Sequence, residues 1–328
     1  VAPPSPTAAA AAAANTTQLL GRSPAQADEY PKVLQTLESM HGSARINAVI
    51  LAHSEEATPT PHGRVLVSTG ADKTFCIWAK DSYGQYKCVL QEKLGLEAFN
   101  MAWDSGRSFL YLATWYGRVR VFHLSMGFMR AKELPYIDFG KGLASMVGQK
   151  VVAVHYEPRG DTLLATSDRH QVMLDLAKNF KRVTRYDERT HITAAVYDLA
   201  ERRVFVGTMG GTVAIYNHTP KRLHALVGVH KVPITALVYR GGDHRELYSA
   251  DQQGNVAKWN IGEGGKEYAA SLQKFLVGVH TATINQLQLL PRDGGVMTCS
   301  DDGTAHVLSL PSMEQKQTLR HRSGAVSA

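Results

Sequence analysis

The chain is poor in the signals that mark a disulfide scaffold, a metal enzyme or a membrane span. It has three cysteines in 328 residues, Cys76, Cys88 and Cys299, and no C-x-x-C pair. Neither a disulfide framework nor a cysteine-rich zinc site is expected from that spacing. Cys76 and Cys299 fall inside strand-like stretches and read as small core residues, which suits a reducing compartment. No run of about eighteen apolar residues occurs, so no transmembrane helix is expected. The opening VAPPSPTAAAAAAANTTQ has no charged leader before its alanines and does not read as a signal peptide. It also lacks an initiator Met, as a processed chain or a piece of a longer one would. No H-E-x-x-H and no G-x-S-x-G is present, and the glycines form no phosphate-cradling loop.

Charge is unbalanced but scattered. There are 36 basic and 29 acidic residues, a net charge of +7. Such an excess favours anionic surfaces. The basic residues come singly or in pairs, such as Lys181-Arg182 and Arg202-Arg203. No run resembles a nucleic-acid-binding arm, so nucleic acid is expected only through an assembly.

What the chain does have is an internal repeat. VGVHKVPITALVY (227–239) returns as VGVHTATINQLQL (277–289). Each copy leads into an apolar strand, a polar turn and a second strand: ELYSADQQGNVAKWNI (246–261) and GVMTCSDDGTAHVLSL (295–310). An all-β unit of about fifty residues that recurs with its turn chemistry intact points to a β-propeller. Residues 1–32 are Ala- and Pro-rich, with too little apolar surface to offset ordering, and read as a low-complexity tail. Residues 33–328 read as the propeller. Six units of four strands fit 46–91, 98–139, 151–187, 192–228, 234–278 and 284–321. No amphipathic helix pattern interrupts them. VLQTLE (33–38) reads as a lone outer strand and HRSGAVSA (321–328) as the opening of one more unit, so seven blades are expected in the intact ring. A ring of six, or of seven with one blade formed from 125–150, is the alternative.

These units resemble WD-repeat propellers. That pattern places a His before the first strand, a Ser or Thr on the second, an Asp in the next turn and a Trp on the third. The resemblance implies that the four side chains hydrogen-bond to one another, which would satisfy a buried polar set and fix the turn. The first unit offers His41, Ser68, Asp72 and Trp78. The fifth offers His230, Ser249 and Trp259, with Gln253 where the Asp is expected. The sixth offers His280, Thr298 and Asp302, with Leu308 in the Trp place. Phe122 and Tyr216 stand for Trp in the second and fourth units, and Tyr116 and Gly210 for Asp. VSTGADKTFCIWAKDSYGQY (67–86), RRVFVGTMGGTVAIYN (202–217) and LYSADQQGNVAKWNIGEGG (247–265) are similar to the propeller of FYVE-containing WD-repeat proteins. That family joins a seven-bladed ring to a zinc finger that reads phosphatidylinositol 3-phosphate on endosomes. The finger's R-H-H-C run and Cys pairs are absent here, so no lipid site is expected in this chain.

The remaining candidates divide between structure and surface. His123, His155, His170, His191, His218, His244 and His306 are scattered and read as structural or surface residues rather than ligands. Asp301-Asp302 read as turn residues rather than as an acid–base pair. Trp115 and Tyr116 occupy a turn where small and acidic residues are usual, next to Arg118. They read as an interface anchor, or as fillers beside 125–150. By family analogy that turn shares the narrow top face with Lys73, Arg169, His170 and Lys231, a basic tint suited to acidic partners. The expected function is non-enzymatic and without cofactor: an adaptor for other proteins, cytoplasmic and endosome-linked by the resemblance. The alternative is a subunit of a large ribonucleoprotein, organellar or cytoskeletal assembly. An enzyme ranks third, since no acid, base and nucleophile converge by spacing.

Overall fold

β-Branched and aromatic residues, cut at short intervals by Gly, Asp and Asn turns, favour strands that hide both faces. The computed structural model describes residues 40–41, 44–53, 64–125, 128–138, 149–178, 181–187, 190–198, 200–217, 222–226, 228–262, 270–290 and 295–320. They lie within one compact unit, Glu38–Ala328. The low-complexity stretch 1–32, VLQTLE at 33–38, HRSGAVSA at 321–328 and His218 lie outside the described residues.

Six four-stranded antiparallel sheets are present among the described residues, each a simple meander. The first holds β1 (Ile46–His53), β2 (Arg64–Gly70), β3 (Thr74–Lys80) and β4 (Tyr86–Lys93). The second holds β5 (Asn100–Asp104), β6 (Phe109–Ala113), β7 (Arg118–Ser125) and β8 (Arg130–Asp138). The third holds β9 (Val151–Glu157), β10 (Thr162–Ser167), β11 (His170–Asp175) and β12 (Lys181–Asp187). The fourth holds β13 (Ile192–Asp198), β14 (Arg203–Thr208), β15 (Val213–Tyr216) and β16 (Arg222–Leu226). The fifth holds β17 (Ile234–Arg240), β18 (Glu246–Asp251), β19 (Val256–Ile261) and β20 (Ala270–Leu276). The sixth holds β21 (Ile284–Leu290), β22 (Gly295–Ser300), β23 (Thr304–Ser309) and β24 (Gln315–Arg320). No described residue is helical. Part of the 125–150 stretch is β8, the outer strand of the second sheet, and not a blade of its own.

The first strands β1, β5, β9, β13, β17 and β21 pack side by side in that order. Together they line a central channel of about 480 Å³. At least one polar tie crosses each successive junction from the first sheet to the sixth. Asn47 Nδ2 donates to the Ala98 carbonyl at 2.9 Å, and Asn100 Oδ1 accepts from the Val154 amide at 3.0 Å. His155 Nε2 donates to Ala195 O at 3.2 Å. Thr193 and Thr235 donate to the carbonyls of Ile234 and Ile284. Radial placement of the sheets around a channel is the propeller arrangement.

Apolar layers fill the spaces between sheets. Phe75, Val65 and Ile77 of the first sheet meet Leu110, Leu112 and Phe122 of the second. Phe205 and Ile215 of the fourth meet Leu247 and Trp259 of the fifth. Tyr248 and Val256 of the fifth meet Leu287, Val296 and Leu308 of the sixth. From the second blade to the sixth, each therefore presents its Trp-position side chain to the blade before it. Between the fourth and fifth sheets lies a fully buried guanidinium. Arg203 donates through Nε and Nη2 to Asp198 Oδ2 at 3.0 and 2.8 Å, and through Nη2 to Tyr239 Oη at 2.9 Å.

Candidate interaction surface

Antiparallel meanders put the turn between the second and third strands at the end of the sheet where the first strand begins. The turns 71–73, 114–117, 168–169, 209–212, 252–255 and 301–303 therefore share one end of the blades with Arg45, Phe99 and Lys150. Three blades lock these turns by the same side-chain chain. In the first, Trp78 Nε1 donates to Ser68 Oγ at 2.8 Å, Ser68 Oγ meets His41 Nε2 at 2.8 Å, and His41 Nδ1 meets Asp72 Oδ1 at 3.0 Å. In the fifth, Trp259 Nε1 donates to Ser249 Oγ at 2.9 Å, and His230 spans Ser249 Oγ at 2.8 Å and Asp251 Oδ2 at 2.7 Å. In the sixth, His280 spans Thr298 Oγ1 at 2.7 Å and Asp302 Oδ2 at 2.9 Å, with apolar Leu308 in the Trp place. In the tautomer that carries its proton on Nδ1, the relay runs from indole N–H to hydroxyl, from hydroxyl to Nε2, and from Nδ1–H to carboxylate.

The fifth blade departs from expectation in one residue. Gln253 occupies the turn position, but the carboxylate comes from Asp251, at the end of β18. Asp251 also accepts the backbone N–H of Gln253 and of Asn255. The second to fourth blades replace the relay with apolar contacts. Leu112 and Phe122 fill the second, Ala165 and Leu174 the third, and Val206 and Tyr216 the fourth.

The carboxylates in the relays are held ionised. Burial works against the Asp251 charge, yet hydrogen bonds from His230 and Asn255 hold its pKa below the usual carboxylate range. Asp72 is lowered in the same way against burial, by Thr74 and His41. Asp302 is lowered further against burial, by Thr304, Thr281 and His280.

The side chains at this end are not equivalent. Lys73, Arg169 and Lys231 are exposed on their turns. His170 is buried at the start of β11, where its N–H donates to Ser167 Oγ, so it is not offered to a partner. Trp115 is 38% and Tyr116 52% exposed. Tyr116 and Gly117 both adopt left-handed backbone, with φ of 65° and 64°. Non-glycine residues avoid that region, so an aromatic there is strained. Lys73 (φ 65°) holds the place that Gly211, Gly254 and Gly303 fill in other blades.

Two further cations flank the Trp115–Tyr116 turn. The Lys150 ammonium lies 3.7 Å from the centroid of the Phe99 ring, and Phe99 meets Trp115 edge-on at 5.3 Å. Burial pushes the Lys150 pKa down, and the Glu97 carboxylate only partly restores it. The Arg118 guanidinium lies 4.4 Å from the centroid of Tyr136, and its Nε is buried without a hydrogen-bond partner. The 149–151 segment is fixed beside the turn by Gly117 N–H to Gln149 O and Val151 N–H to Thr114 O, at 2.8 and 2.9 Å. Phe99, Tyr136 and Lys150 carry no sequence signal of their own, because Lys150 meets Phe99 across two sheets and Tyr136 meets Arg118 across paired strands of one sheet.

The family model for the WD domain, G-beta repeat, matches residues 32–79, the span that carries His41, Ser68, Asp72 and Trp78. This chain is a WD-repeat β-propeller. WD-repeat rings serve in general as rigid platforms for other proteins. No described helix of this one is long and apolar enough to cross a membrane, and no group of three metal-ligating side chains occurs among the described residues.

Proposed function

We propose that this WD-repeat propeller is a non-catalytic interaction module. It holds protein partners at the end of the blades that carries Lys73, Trp115, Tyr116, Arg118, Arg169 and Lys231, and it favours acidic partner surfaces. The observation that carries the reading is the pairing of exposed cations with two exposed aromatics on turns at one end of the blades, in a ring where three such turns are locked by the side-chain relay. Aromatic and arginine anchors on a preorganised frame are what tight protein contacts use. An adaptor role on the cytoplasmic side of endosomes is the finer form of this reading, by likeness to FYVE-containing propellers. A place in a large assembly is the second reading, supported by the net charge of +7; it predicts co-sedimentation with a large particle, released by salt if RNA is involved.

Replacing Arg118, Arg169 and Lys231 together with Glu tests the main reading. Partners recovered by affinity capture should be lost while the melting temperature is kept. An unchanged partner set would reject it.

A further inference from the structure

Among the sites on this end of the ring, the second blade stands apart. It is where two cations are half-withdrawn from water without a direct ion pair, although Glu97 lies near Lys150 and Asp138 stands opposite Arg118 across the β7–β8 ladder. Lys150 lies against the Phe99 face and Arg118 against the Tyr136 face. Neither makes an ion pair with a described residue. The nearby Glu97 is engaged by Asn47 at 2.9 Å and by Arg45 at 3.4 Å. Between the cations runs the strained turn that exposes Trp115 and Tyr116.

A partly desolvated cation without a counter-charge is an unfavourable state that an incoming anion relieves. A ring beneath each cation adds cation–π attraction and sets its direction. Trp115 and Tyr116 offer apolar surface at low entropic cost, since each turns about only two side-chain bonds. The charge faces an anion, the rings face an apolar group, and both belong to one patch.

We propose that the Trp115–Arg118 turn with Phe99, Tyr136 and Lys150 is a specific docking site for an acidic peptide segment, one that places a carboxylate against Lys150 and Arg118 and an adjacent aromatic or aliphatic side chain on Trp115 and Tyr116. This site rests on the interaction-module reading and narrows it to one blade and one ligand chemistry. The geometry favours a peptide over single-stranded nucleic acid. Base stacking needs free ring faces, and one face each of Phe99 and Tyr136 is taken by Lys150 and Arg118. Two cations are also too few to track a phosphate backbone.

The test starts from a random dodecamer peptide display library selected against the whole protein. Enriched peptides are synthesised and titrated by calorimetry into wild type, Arg118→Gln, Lys150→Met, Trp115→Ala and a Lys73→Glu/Lys231→Glu control. Trp115 is exposed enough that its truncation should leave folding intact, and melting curves check every variant. The expected result is enrichment of Asp or Glu beside an aromatic or aliphatic residue. Affinity should fall by about tenfold or more in each of the first three variants and by less in the Lys73→Glu/Lys231→Glu variant, whose residues lie on other blades. Dependence on Lys73 and Lys231 instead would overturn this site while leaving the interaction-module reading in place. No enriched peptide, or binding indifferent to every variant, would overturn both. Oligouridine that binds through Arg118 and Lys150 where peptides do not would replace the proposal with nucleic-acid recognition.

Discussion

His230 Nδ1 lies 2.7 Å from Asp251 Oδ2, and both side chains are 1% exposed. The contact ties the segment leading into β17 to the end of β18. It continues through Ser249 to the indole of Trp259, so four side chains from three segments close one polar circuit. Loss of any member strands a buried donor or acceptor.

Ser249→Ala removes the acceptor of the Trp259 N–H and the partner of His230 Nε2. It should cost about 2–4 kcal/mol, above an ordinary buried hydrogen bond. Leu112→Ala in the second blade, where the circuit is replaced by packing, should cost about 2–5 kcal/mol through a cavity instead. Urea midpoints distinguish the two when Trp259→Phe is added. The loss from Ser249→Ala should shrink in that background, whereas the loss from Leu112→Ala should not.

Acid should unfold the ring in two stages. His155 and His306 have pKa values lowered, each first by burial, so the folded state prefers them neutral. Their contribution is complete above the unfolded value of about 6.5 and is lost as pH falls through it. Asp72, Asp251 and Asp302 are lowered too, so folding prefers them ionised. That contribution is complete above about pH 4–5 and is lost below it. Urea titrations across pH should show both declines. His306→Gln should shrink the first and Asp251→Asn the second. A flat profile down to about pH 3 would contradict the assignment.

Gly254 and Gly84 share a left-handed backbone, with φ of 81° and 77°. An added Cβ at Gly254 would sit 2.1 Å from the His280 carbonyl oxygen, whereas at Gly84 it meets nothing within 4 Å. Gly84→Ala should cost about 1 kcal/mol, the conformational penalty alone. Gly254→Ala should cost several times that, because the clash is with backbone of the next blade. Equal melting temperatures for the two variants would refute the close packing of blades five and six.

Arg203 is 1% exposed and shares its charge with Asp198, itself 3% exposed. Arg203→Met should destabilise by about 3–5 kcal/mol, since it leaves a buried carboxylate uncompensated. Arg203→Met with Asp198→Leu should recover most of that loss. Failure of the double variant to recover would show that the hydrogen bond to Tyr239 matters more than the charge pair.

Tyr116 sets stability against binding. Tyr116→Asn places a residue that tolerates left-handed backbone in the same turn. It should raise stability by about 1 kcal/mol and weaken the peptide ligand. A loss of stability instead would mean that the ring is needed for the fold.

Much of the architecture was legible in residue order. The repeat at 227 and 277 set the blade length, and Trp78, Trp259, His41, His230 and His280 stood in register because local turn chemistry recurs in each copy. Asp251 was missed because the carboxylate moved two residues back along β18, a change that keeps the contact but breaks the spacing. His170 was expected on the surface because it neighbours a turn, yet β11 is buried on both faces from its first residue. The cations that matter most were half-visible. Arg118 sits beside its aromatics in sequence, but Lys150 meets Phe99 only because two sheets abut, and spacing carries no trace of that.

The most direct measurement is the indole N–H spectrum of isotope-labelled tryptophan, since the chain has four. The signals of Trp78 and Trp259 should resist hydrogen exchange and stay fixed when an acidic peptide is added, whereas that of Trp115 should exchange fast and shift. Rapid exchange at Trp78 or Trp259, or a peptide that moves them and leaves Trp115 untouched, would contradict both the locked blades and the surface they carry.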